Sequence, residues 1–250
     1  MHLDSRNWID WNILFLGAYE PHVAKWIELL LPTGGVAIDI GANIGCHSLS
    51  MARLAGQSGR VLSFEPNPAL AELIAKNSGL NGFLIESHAV ALGLNNSKAL
   101  LKVPKGHPGC PSNLGLASLV DPGCEYDEIE VPLRTLDSII GHQITRLDLV
   151  KLDVQGYEFQ ILQGMQVVIE TYRPAIIFEY EQLSWSQSGT ILPDAVAYLK
   201  EYGYSCNVLD GQGGIRALTE RTLHNPPEHL ELLCRTKPNL RGDIDKEGRS

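Results

Sequence analysis

Val36-Ala37-Ile38-Asp39-Ile40-Gly41-Ala42-Asn43-Ile44-Gly45 is the stretch whose reading decides the fold. Its first five residues are apolar except for Asp39 and are bounded by glycines, as a short strand buried on both faces should be. Gly41 and Gly45 then make a tight strand-to-helix turn, where missing side chains let a ligand approach the backbone and helix N-terminal N–H groups stand open. A helix is expected to follow through Leu49 and Leu54.

Working outward, residues 61–65 read as a second strand ending at Glu65, and Pro66-Asn67-Pro68 opens the next helix with Asn67 as N-cap and Pro68 in the first turn. Residues 83–90 form a third strand. Residues 147–152 form a strand ending at Asp153, with a helix from Tyr157 to about Leu162, and residues 174–180 carry a strand with Glu179 at its end. Ala195, Tyr198, Leu199 and Tyr202 mark another helix capped by Gly203, and two late strands lie near 204–209 and 230–234. Toward the N-terminus, Val23, Trp26, Ile27, Leu30 and Leu31 recur at helical spacing, which predicts an amphipathic helix over about 19–31. The stretch 98–133, broken by Pro104, Pro108, Pro111 and Pro122, reads as a long loop bracketed by short strands, a pocket wall or lid with Asn113 and Ser118 as its polar contacts. Strand and helix alternate without a linker. The expected fold is therefore α/β: one domain over 1–236, built on a mostly parallel, doubly wound seven-stranded sheet with an antiparallel edge strand, and a disordered tail over 237–250.

Composition narrows the function classes. The 250 residues are 44% hydrophobic and 20% charged, an ordinary globular balance. A net charge of −9 disfavours a general nucleic-acid or anionic-membrane binder. Cys46, Cys110, Cys124, Cys206 and Cys234 are scattered without a CxxC pair, which suggests neither a zinc site nor a disulfide framework. With no apolar leader after Met1 and no span long enough for a bilayer, the chain is expected to be cytoplasmic.

The glycine turn invites a dinucleotide reading, hence a nicotinamide-dependent oxidoreductase. That fingerprint needs G-x-G-x-x-G, whereas Asn43 stands at the second glycine and Cys46 at the third. Asp39 just before the turn would oppose a pyrophosphate and attract a cation. Glu65 follows Gly45 by about 20 residues, the spacing at which an acid accepts hydrogen bonds from a ribose diol. An adenosyl sulfonium with a free amino group suits this pair better than a dinucleotide.

Taken in order, Tyr19-Glu20-Pro21, the turn over 39–45, Phe64-Glu65-Pro66-Asn67-Pro68, Ser112-Asn113-Leu114-Gly115 with Ser118-Leu119, Leu136-Asp137, the run from Lys151 to Glu158, and Arg173-Pro174 with Glu179 resemble the FkbM-type methyltransferases over about 15–235. The resemblance implies a Rossmann-like class I methyltransferase fold, S-adenosylmethionine as cofactor and O-methylation of a hydroxyl on a small molecule or glycosyl acceptor. It places Asp39, Gly41, Asn43 and Gly45 on the methionine half of the cofactor, and Glu65 and Asn67 on the ribose and adenine side. Ala89 falls near the adenine and Glu20 near the cofactor's approach. One departure stands out: the family's Asp-Val-Glu-Gly is Asp153-Val154-Gln155-Gly156 here, so a module that binds the cofactor without turnover is the further alternative.

An alcohol acceptor calls for alignment and a base within reach. Asp153, Glu158 and Glu179, at the ends of the fourth and fifth strands, are the candidate catalytic acids, with Asp153 first as binder or base. Among histidines, His47, just past the glycine turn, is expected on the helix surface or behind the site rather than facing the crevice, and His88 in the core, with His107 and His142 in loops. Asp153 with Glu179 is an imaginable oxygen-ligand pair, but nothing in the spacing calls for a metal.

Overall fold

The computed structural model describes residues 1–3, 8–105, 117–120, 125–141 and 143–236. In chain order the elements are α1 (Trp8–Leu16), α2 (Pro21–Leu30), β1 (Val36–Ile40), α3 (Cys46–Ala55), β2 (Arg60–Phe64), α4 (Pro68–Asn81), β3 (Ile85–His88), β4 (Ala91–Leu92), β5 (Ser97–Pro104), β6 (Tyr126–Arg134) and α5 (Leu136–Ile139). There follow β7 (Leu149–Leu152), α6 (Glu158–Gln163), α7 (Gln166–Tyr172), β8 (Ala175–Glu181), α8 (Gln182–Gln187), α9 (Leu192–Glu201), β9 (Tyr204–Leu209), β10 (Ile215–Ala217), α10 (Glu220–His224) and β11 (His229–Thr236).

The main sheet has the order β10-β9-β11-β8-β7-β1-β2-β3. From β3 to β8 neighbouring strands pair in parallel, while β11 runs antiparallel to both β8 and β9. The late strands thus pair as expected, but the returning strand inserts beside β8 rather than at the rim. β10, antiparallel to β9, is the outer strand and raises the count from seven to eight. The chain winds one way from β1 to β3 and the other way from β7 onward. The carboxyl ends of β1 and β7 therefore flank the switch point where such sheets bind ligands.

Period-two alternation divides the core between the two faces. Ile38 and Ile40 of β1, Val150 and Leu152 of β7, and Phe178 of β8 pack on one side with Trp185 and Leu199. Ala37, Leu149 and Ile177 pack on the other side with Trp26 and Ile27 of α2 and Met51 of α3. By the same parity Asp39, Lys151 and Glu179 rise on the second side, two residues beyond Ala37, Leu149 and Ile177. β1 and β7 are buried at every position, so these charged groups leave water at a cost that partners must offset.

Three expectations are corrected. The stretch 98–133 is bracketed by strands as expected, but they are longer than short strands. β5 and β6 pair over eight positions and, with β4, make a second three-stranded sheet whose inner face holds Leu101, Val131 and Leu133. Lys98 and Glu130 bridge the outer face at 2.6 Å, so polar and apolar faces alternate along both strands beside the prolines. Pro104 merely ends β5; Pro108, Pro111 and Pro122 lie outside the described residues, as do Asn113, His107, His142 and the tail 237–250. Second, α1 precedes the expected helix, burying Ile9 against Ile44 and Leu70. Third, Cys206 and Cys234, 28 residues apart, stand directly opposite each other on β9 and β11 and form a disulfide. Sheet register, invisible in the spacing, brings them together, against the expectation that the cysteines make no disulfide. Cys46 is free; Cys110 and Cys124 lie outside the described residues. Among the described residues no helix is long and apolar enough to cross a membrane.

Candidate active site

The glycine turn is built by backbone demand. Gly41 has φ +76°, and a Cβ there would lie 1.8 Å from the Asp153 carbonyl oxygen. Its missing side chain thus lets the turn after β7 press against the turn after β1. Asn43 is also left-handed, at φ 53°, which aims its N–H at Glu65 Oε2 at 2.9 Å. Gly45, at φ +85°, starts α3 and leaves room for Ile74.

The turn separates two joined hollows. A cavity of about 230 Å³ is lined by Asp39, Asn43, His47, Lys151, Asp153 and Glu179 among others. A narrower slot of about 40 Å³ runs past Glu65, Phe64 and Pro66 to Val90–Leu92, roofed by Leu101 of β5 and by Ser118, which bridges to Lys102. Gly41, Asn43, Asp153 and Gln155 line both, so the acids of β1 and β2 face one crevice.

Asp39 is buried, and its Oδ2 accepts from Ser48 Oγ at 2.5 Å, with Ser63 Oγ donating in turn to Ser48. Oδ1 is buried without a partner among the described residues. A carboxylate oxygen left so is costly and is the natural acceptor for a cationic or N–H-bearing ligand in the larger cavity. Glu65 takes one backbone N–H on each oxygen, from Asn43 and from Asn67, both at 2.9 Å. Burial outweighs these donors and pushes its carboxyl up to about 7.

At the other wall Lys151 is buried and bonds Asp153 Oδ2 at 3.1 Å. Burial alone would lower its pKa, but the charges of Asp153, Glu20, Asp39 and Glu231 hold it well above the ordinary value. Gln155, in a left-handed conformation, donates through Nε2 to both Asp153 Oδ1 and Glu179 Oε2, each at 3.0 Å. It therefore bridges the two candidate acids. Burial and then the Asp153 charge push Glu179 up to about 7, against His229, whose Nε2 lies 2.8 Å from Oε1. Glu20 meets His47 Nε2 at 2.9 Å; burial raises its carboxyl, but this bond and Lys151 prevail and hold it at about 2.

Other expected residues stand back from the crevice. Glu158 is no candidate for the chemistry: fully buried, it spends its two oxygens on the N–H groups of Val154 and Gly156 at 2.9 and 3.0 Å. It braces the turn that carries Asp153 and Gln155. Glu158→Gln should lose about 2 kcal/mol of stability in a urea melt, because the amide sets a donor against one of those N–H groups. Asn67 caps α4 by accepting from Ala69 N and reaches the crevice only through Glu65. Ala89 is exposed while Val90 lines the slot, and Gly45 packs on Ile74 behind the turn. His47, expected on the helix surface or behind the site, is instead buried and lines the larger cavity, and His88 is half-buried, stacked on Phe64 with ring centroids 4.8 Å apart. The sequence does carry a signal for Lys151, a lysine inside an otherwise apolar strand.

A doubly wound sheet with one inserted antiparallel strand, a glycine turn after its first strand and an acid after its second is a Rossmann-like class I methyltransferase fold. The methyltransferase FkbM domain matches residues 39–206, and the chain belongs to that family of methyltransferases. Methyltransferase sdnD of Sordaria araneosa is 28% identical over 182 residues, covering 58% of this chain and 69% of that protein. Methyltransferase 1 of Beauveria bassiana is 28% identical over 152 residues, covering 54% and 59%. The solved structure of methyltransferase FkbM from Methylobacillus flagellatus shares the fold at 14% identity and a TM-score of 0.50, covering 81% of this chain and 44% of that one. The chain thus spans only part of these relatives' lengths.

Proposed function

We propose that this chain binds S-adenosylmethionine and methylates a hydroxyl oxygen of a small-molecule or glycosyl acceptor. The observation that carries the reading is the buried, unpartnered Asp39 Oδ1 in the larger cavity, with Glu65 on the same crevice. The bound cofactor supplies an electrophilic methyl on a sulfonium. Asp39 and its acidic surroundings favour the cationic amino-acid half, Glu65 accepts from the ribose, and the apolar slot beyond Phe64 takes a flat base. Asp153 and Glu179 accept a hydrogen bond from the acceptor hydroxyl, and Gln155 holds them apart and oriented. An amide suffices for that bridge, which favours an active enzyme over a cofactor-binding module without turnover. Calorimetry with S-adenosylmethionine against NAD tests the cofactor, and cofactor consumption over a range of hydroxylated acceptors tests the transfer. NAD binding alone, or no turnover with any acceptor, would defeat the respective half of the proposal.

Affinity for S-adenosylhomocysteine should also depend on pH. A ribose hydroxyl donates to an ionised carboxylate, so protonation of Glu65 competes with binding. Affinity is then full above pH 7 and falls as pH drops through the Glu65 value of about 7, by about tenfold per unit below it. Glu65→Gln should bind weakly with a flatter profile; a wild-type profile level from pH 8 to 5.5 would count against the ribose role.

A further inference from the structure

Beside the crevice, the α2–α3 side of the sheet carries a cluster that methyl transfer leaves unexplained. β8 and β11 set Glu179 directly opposite Glu231, and His229 lies two residues before Glu231, so the three side chains rise from one face. His229 Nε2 is 2.8 Å from Glu179 Oε1 and 4.0 Å from Glu231 Oε1, and one donor atom from each residue lies within 4.8 Å of the other two. Carboxylates directly opposite on neighbouring strands repel. Glu231 is only 6% exposed and its side chain makes no hydrogen bond among the described residues, its contact with His229 being the 4.0 Å approach. Lys151, the buried ammonium on the same face, gives its hydrogen bond to Asp153 instead. A buried carboxylate whose side chain makes no hydrogen bond, facing a second carboxylate, has only the His229 imidazole at 4.0 Å and the more remote Lys151 charge to offset it.

We propose that Glu179, His229 and Glu231 bind one divalent metal ion of the manganese or zinc class. Two carboxylate oxygens and one imidazole nitrogen make three protein ligands with the remaining positions open, and the nitrogen favours a transition ion over calcium. The ion replaces the His229–Glu179 hydrogen bond, and Glu231 closes by about 1 Å to bring its oxygen to bonding distance. Gln155 is the outer partner: its Nε2 holds Glu179 Oε2 at 3.0 Å and so leaves Oε1 for the metal. Glu179 also lines the larger cavity, so the ion sits at its wall.

The test is titration of the untagged, chelator-treated full chain with Mn²⁺, followed by the electron paramagnetic resonance signal of the free ion. Manganese is the probe because it leaves thiols alone. One ion per chain is expected, and both Glu231→Gln and His229→Ala should weaken binding by more than the roughly 10–100-fold that loss of an outer partner costs. His229 is 52% exposed, so its removal spares the core if the Glu231 variant folds poorly. No stoichiometric binding up to millimolar Mn²⁺, or binding unchanged in the His229 variant, overturns the site. The readout is metal alone, so its failure leaves the methyl-transfer reading standing.

Discussion

Gly41→Ala is expected to lose about 4 kcal/mol or more of folding stability, among the largest effects of any single methyl group in this chain. The added Cβ would meet the Asp153 carbonyl oxygen at 1.8 Å and its carbon at 2.8 Å, both backbone atoms that no rotamer change can move. The left-handed φ of +76° adds a penalty of its own for an L side chain. For a domain of this size the loss corresponds to a melting temperature lower by roughly 10–15 °C. Gly79→Ala is the control: nothing lies within 4 Å of a Cβ there, and it sits inside α4, so alanine should be neutral or stabilising by about 0.5–1 kcal/mol. Chemical denaturation of both variants decides the matter. A Gly41→Ala protein as stable as the wild type would mean that the turns after β1 and β7 do not touch, and the shared wall of the two hollows would be lost.

The second large effect is on binding. Asp39→Ala and Glu65→Ala should each weaken S-adenosylhomocysteine binding by about 1.5–3 kcal/mol, the range for losing a hydrogen bond to a charged group, which is roughly 10- to 150-fold. The double variant should lose close to the sum. The two carboxylates hold different ends of one ligand and share no hydrogen-bond partner, although the Asp39 charge does reach Glu65. Calorimetry supplies the readout, with melting curves to separate folding from affinity, since Asp39 also anchors Ser48 and Glu65 anchors the Asn43 and Asn67 amides. A double variant that binds like the wild type would remove both carboxylates from the site.

The sequence makes legible what local chemistry controls. Asp39, Gly41 and Asn43 lie within one turn, and the helix begun at Pro68 announces itself through Asn67, whose side chain does cap it. Glu65 followed from the strand-end spacing. Hidden from the sequence were relations set by strand order and register. Glu231 lies opposite Glu179 because β11 inserts beside β8, and Cys206 meets Cys234 for the same reason. No spacing along the chain encodes either. Glu158 illustrates a further limit: an acid at a helix start near a crevice serves equally well as a reactive group or as a brace for backbone amides. Only the direction of its two oxygens tells which. The second sheet was obscured for a different reason, since proline-rich connections sit next to strands whose alternating faces are ordinary.

The most direct test is a crystal structure of the full chain with S-adenosylhomocysteine. The ribose hydroxyls are expected within hydrogen-bonding distance of Glu65, and the amino-acid end in the larger hollow beside Asp39. A ligand seated away from the Gly41 turn, or lying in the crevice with neither carboxylate in contact, would contradict the assignment.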